Sequence, residues 1–139
     1  MLSTPIIKAA EALYPLLSVF HEVDGDVLDA VSEINELDMT TQIRLHFGRK
    51  HLVVRAEPEF DTADLSVQTQ HAGGEDISSR QPWTDVIGKQ FGWGWVTVNQ
   101  QGYLDGVLLS FRGIVPEVLI NVVASEITVR KVGGWPRSL

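Results

Sequence analysis

The chain has 139 residues, 44% hydrophobic and 21% charged, enough for one domain around one core. It has no cysteine, which excludes disulfides, thiol catalysis, thiolate metal sites and iron–sulfur clusters. The net charge of −7 is lopsided: residues 1–79 hold 14 acidic and 5 basic side chains (−9), residues 80–139 hold 4 and 6 (+2), which disfavours a phosphate backbone as partner and favours a basic protein.

Thr4 followed by Pro5 marks a helix start, and Ile6, Ala10, Leu13 and Leu17 recur at helical spacing. One N-terminal helix ending near Pro15 is expected. Lys8, Glu11 and Pro15 interrupt the apolar N-terminal run, so no signal peptide is read there. No other apolar run reaches bilayer length, and the expectation is a soluble, cytoplasmic protein with no membrane contact.

Past Pro15 the period changes to two. LLSVFHEV and VLDAVSEI flank Asp24-Gly25, a hairpin dipeptide. TQIRLHF and KHLVVRAE flank Gly48-Arg49, where Gly suits the first central position of a type II′ turn. A short strand follows at 63–69, then a polar surface loop, HAGGEDISSRQP, and a short helical turn begun by Pro82.

In FGWGWVTVNQQGYLDGVLLSF, residues 99–102 suit a type I turn with a bulge at Gly102, placing Val98 opposite Leu104. An unbroken register then sets Thr97 against Asp105, Trp95 against Val107, Trp93 against Leu109 and Phe91 against Phe111. That predicts an aromatic face filling the core and a thin face carrying Gly92, Gly94 and Gly106. Such glycines suit a closely packed helix or a pocket, with Trp95, Asp105 and Tyr103 as pocket candidates. An aromatic platform for sugars or bases is a further possibility. The first half of EVLINVVASEITVRKV is apolar on both faces and reads as a central strand, and the tail GGWPRSL reads as loose. The fold class expected is α+β, an N-terminal helix packed on a strongly coiled, mostly antiparallel sheet of seven or eight strands.

His46 and His51 lie opposite each other across the Gly48-Arg49 turn, with Arg44 and Arg55 nearby. Two cross-strand histidines can chelate a metal, but the sequence identifies no third ligand. A solvated hairpin face is expected, an anionic ligand being a lesser option, with no metal and no cofactor. DGDVLD, with Asp24, Asp26 and Asp29, lacks the ligand pattern of a calcium loop. No phosphate loop, nucleophile elbow or nucleotide fingerprint occurs, so no motif supports an enzyme.

WVTVNQQGYLDGVLLSF followed by VVASEITVRKV resembles a family of short bacterial proteins classed as a domain of unknown function. The likeness spans Trp93 to Val132 and is carried by Asn99, Gly102, Tyr103, Asp105, Gly106 and the Ala124-Ser125 step. It implies a bacterial cytosolic protein and supplies no activity, catalytic residue or cofactor.

The leading functional expectation is a protein-binding module, one form of it an immunity-type inhibitor of a basic toxin or enzyme, which it meets through Asp24, Asp26, Asp29 and Glu33. The alternative is a small-ligand-binding protein or enzyme using a pocket near Gly92, Gly94, Gly106 and Asp105. A structural partner is a third reading.

Overall fold

The computed structural model describes residues 15–57, 62–111 and 113–133. The helix expected before Pro15 and the tail after Gly133 lie outside them. Residues 15–21 form a helix, α1, where the sequence suggested a strand. Leu17, Val19 and Val23 fit alternation, but Leu16, Val19, Phe20 and Val23 fit helical spacing, and these last four all join or pack against the core. Asp24-Gly25 therefore ends a helix instead of turning a hairpin, with the Gly25 N–H donating to the Phe91 carbonyl at 3.0 Å.

Five strands follow, β1 (Ala30–Glu36), β2 (Met39–Phe47), β3 (Lys50–Glu57), β4 (Thr62–Gln68) and the two-residue β5 (Glu75–Asp76). They form one sheet in the order β4-β3-β2-β1-β5. A second sheet has the order β6-β7-β8-β9, from β6 (Trp93–Val98), β7 (Leu104–Ser110), β8 (Val118–Val123) and β9 (Glu126–Lys131). All these pairings are antiparallel. The architecture is thus two antiparallel sheets with one short helix among the described residues, in place of a single coiled sheet. β9 lies against β2 and β3, and β4 against β7 and β8. One apolar cluster, including Val31, Ile43, Leu45, Leu52 and Val54 from the first sheet and Val107, Leu109, Val118 and Ile120 from the second, joins the two.

The Gly48-Arg49 hairpin forms as read, with Gly48 at φ +65 and His46 paired with His51. β4 falls where a short strand was expected, and β8 is a central strand. Two hairpins had no glycine or asparagine signal. Leu37-Asp38 (φ 52 and 63) joins β1 to β2, and Ala124-Ser125 (φ 51 and 65) joins β8 to β9. Both central residues are left-handed, as in type I′ turns, and the strand pairs they connect hold them there at a local cost of order 1 kcal/mol per residue.

The β6–β7 hairpin corrects the expected core. The turn is as read, since the Gly102 N–H donates to the Asn99 carbonyl and Val98 pairs with Leu104. A further bulge at Asp105 then shifts the register, pairing Thr97 with Gly106, Trp95 with Leu108 and Trp93 with Ser110. One extra residue reverses which side chains face inward. Gly94 and Val96 consequently share a face with the buried Leu109 and Val107, while Trp93 is 53% exposed. Among the described residues the tryptophan of the core is Trp83, 1% exposed, in a 3-10 turn (Trp83–Asp85) that follows Pro82 as expected. Trp83→Ala is predicted to cost about 3–5 kcal/mol and Trp93→Ala less than half as much. Urea denaturation of the two variants beside wild type checks the order.

Candidate functional site

An apolar cleft of about 460 Å³ lies along β6, between that strand and α1. Leu17, Phe20, His21 and Asp24 form its helix side, and Phe91 to Val96 its strand side. Because residues from both faces of β6 line it, the cleft wraps the strand at the end of its sheet, where β6 pairs only with β7 among the described residues. Trp93 and Trp95 stand at its lip with ring centroids 6.5 Å apart and planes 48° apart. Phe20 and Phe91 stack at 5.9 Å beneath.

Gly94 makes this geometry possible. A Cβ there would sit 2.5 Å from the Phe20 ring, so only a bare backbone lets α1 approach the strand this closely. Gly106 also serves close packing, since its Cβ would fall 2.8 Å from the Ile120 carbonyl. Gly92, Gly94 and Trp95 line the cleft, whereas Gly106, Asp105 and Tyr103 do not. Asp105 is the bulge residue and accepts a hydrogen bond from Thr97 Oγ1 at 2.6 Å. Tyr103 is half exposed beside the turn, its N–H donating to Asn99 Oδ1. The expected pocket thus divides, its glycine-and-tryptophan half at the cleft and its Asp105 half built into the hairpin.

The four acidic candidates are also dispersed. Asp26 pairs with Lys50 at 3.2 Å, Asp29 Oδ2 accepts the Gly48 N–H at 2.6 Å, and Glu33 pairs with Arg80 at 3.0 Å. Asp24 is exposed, lines the cleft, and has no side-chain partner among the described residues.

A second constellation lies on the outer face of the first sheet. His46 and His51 are cross-strand neighbours with ring centroids 4.1 Å apart, but this is not the solvated face expected, because Arg44 is 5% and His51 6% exposed. Arg44 donates to Gln42 Oε1 (2.6 Å), Gln68 Oε1 (2.7 Å), the Gln70 carbonyl (3.2 Å) and His51 Nδ1 (3.2 Å). Each acceptor is neutral, and no carboxylate among the described residues lies within ion-pair distance of the guanidinium. His46 Nε2 meets Ser32 Oγ at 2.8 Å, and the His71 ring stands edge-on to His51 at 6.5 Å. Burial, reinforced by Arg44 and the neighbouring histidines, holds both His46 and His51 below the usual imidazole range. The described residues contain no group of three or more His, Cys, Asp or Glu suited to a metal. Sequence reading missed the parts played by Gln68, Gln70 and His71, which lie far along the chain from Arg44.

No helix among the described residues is long and apolar enough to cross a membrane. The family described as a family of unknown function, DUF6334, matches residues 13–135. The chain belongs to this family. The DUF6334 match takes in both sheets and reaches well before the Trp93 to Val132 stretch that carried the resemblance. Comparison with curated proteins and with solved structures found no match.

Replacing Gly94 by valine is predicted to destabilise this DUF6334 protein by about 1–3 kcal/mol, because the Phe20 ring must move out of a packed site. Thermal melts and tryptophan emission together check it, the emission reporting any rearrangement around Trp93 and Trp95.

Proposed function

We propose that the protein is a partner-binding module that takes a short extended segment of a basic protein along β6. The observation that carries this reading is the cleft beside a sheet edge, with the exposed Trp93 at its lip and the Asp24 carboxylate open toward it. An edge strand offers backbone hydrogen bonds to an added strand. The cleft offers a seat for alternate side chains, and large aromatics are the usual energetic anchors of interfaces. A lysine or arginine laid on Trp93 or Trp95 gains cation–π attraction there and a carboxylate in Asp24.

An acidic inhibitor of a basic toxin or enzyme, of the immunity type, is one form of such a module. The formal charge of −7 supports it through fast association with a basic surface, and the absence of cysteine fits the reducing cytosol of a bacterial cell. The size and apolar lining of the cleft also suit a small hydrophobic ligand, which is the second reading.

Selection of peptides displayed on phage distinguishes the two. The module reading expects enriched extended sequences with a basic residue beside an apolar one, and amide shifts confined to β6 and α1 on titration. Trp93→Ala is expected to weaken the selected peptide roughly a hundredfold, as loss of a central anchor does, and Asp24→Asn to slow its association at low salt. Peptides that bind Trp93→Ala as well as wild type would exclude the module reading. Failure to select any peptide, with saturable uptake of a small apolar dye at the cleft, favours the second.

A further inference from the structure

β4 and β5 occupy opposite edges of the first sheet, so residues 69–74 must traverse every strand between them. They pass over the outer face, where Arg44 holds the Gln70 carbonyl and His71 stands by His51. Gln68 is in register with His51, which pairs with His46 and through it with Ala30, whereas Glu75 is in register with Glu33. The crossing therefore covers four strand spacings sideways and three residues lengthwise, roughly 21 Å in all. Seven extended Cα steps from Gln68 to Glu75 reach about 23–25 Å. The segment has little slack.

At its far end the segment lies against β1, where a Cβ on Gly74 would fall 2.8 Å from the Glu33 carbonyl. Near its start it is held by Arg44, whose bond to His51 Nδ1 needs that nitrogen unprotonated. A proton on Nδ1 replaces an acceptor with a second donor and sets two cations in a buried space. A proton on His46 adds another 4.1 Å away.

We infer that residues 69–74 are an acid-released strap, closed over the outer face of the first sheet while His46 and His51 are neutral and freed when they protonate. The charged and titratable groups facing the pair come from every neighbouring element. Arg44 on β2 and His71 on the strap oppose protonation, while Asp29 ahead of β1 and Asp76 on β5 favour it at His46. Asp29 is engaged by the Gly48 N–H, and Asp76 by the hydroxyl and N–H of Ser78. Burial and the cations prevail, so both imidazoles take up protons less readily in the closed form than the ordinary value of about 6.5. The sign follows from linkage. The open form binds more protons, so the closed form is fully favoured above about pH 6.5 and loses ground as pH falls through the depressed values.

Backbone 15N relaxation at pH 7.5 and pH 5.0 tests the strap in the whole chain, because the strap is held through the Gln70 carbonyl. Wild type is expected to show order parameters of residues 69–74 falling from the rigid range, about 0.85, to below about 0.6 at pH 5.0 with β8 and β9 unchanged, a local opening and not a global one. The double variant His46→Asn with His51→Asn keeps polar side chains that do not titrate, and is expected to lose the difference between the two pH values. Should that variant not fold, Gly74→Val is expected to open the strap at pH 7.5 by collision with β1. Equal strap order parameters at both pH values in wild type overturn the inference, as does a fall shared by β8 and β9. Retention of the pH difference in the double variant, or a closed strap in Gly74→Val, overturns it equally.

Discussion

The arrangement turns on the ring of Phe91. It stacks on Phe20 of α1 at 5.9 Å and meets Phe47 at the end of β2 and Phe111 after β7 edge-on at 6.0 and 5.9 Å. Helix, first sheet and second sheet are thereby joined at one side chain, 2% exposed. Its backbone is fixed as well, the N–H donating to the Asp26 carbonyl and the carbonyl accepting from Gly25. Edge-on and stacked rings supply directional attraction beyond the area they bury, so the joint specifies angles as well as contact. The cleft follows from it, since Phe91 sets where α1 ends and β6 begins.

Much of the sheet was legible in the sequence because its signals are local. Alternation in QIRLHF and HLVVRA, closed by a glycine of left-handed conformation at 48, fixes β2, β3 and the His46–His51 pair. Reading failed where two periods fit the same letters, as in LLSVFHEV, and where a turn used ordinary residues under tertiary constraint, as at Leu37-Asp38 and Ala124-Ser125. It failed most consequentially at Asp105. A bulge of one residue has no strong composition, yet it carried two tryptophans from the expected core to a surface lip. The glycines were noticed correctly, and Gly94 does receive the helix. The Arg44 network was invisible because its members come together only through the crossing of one sheet by a distant segment.

The two constellations differ in physical kind. The cleft is apolar, exposed and open at a sheet edge, the conditions under which another molecule gains by covering surface. The histidine cluster is polar, covered and internally satisfied, with no buried side-chain polar atom lacking a partner among the described residues. Much of the acidic character read from the sequence is likewise spent within the molecule, at Asp26 with Lys50 and Glu33 with Arg80. These pairs leave the net charge of −7 unchanged, but they take Asp26 and Glu33 out of the set of free carboxylates. Asp24 is the one of the four acidic candidates that the fold leaves beside the aromatic lip without a side-chain partner among the described residues.

The strand order of the first sheet also dictates a sequence of assembly. β1 to β4 form a meander in which each strand pairs with its successor, so these contacts close short loops and cost little chain entropy. β5 pairs back with β1 across the finished meander, and its closure is both longer in sequence and sterically dependent on strands already laid side by side. The crossing segment can take its place only once there is a surface to cross. The piece whose closure spans the most chain is thus also the piece with fewest strand residues, and it is the natural first piece to detach from the meander it crosses.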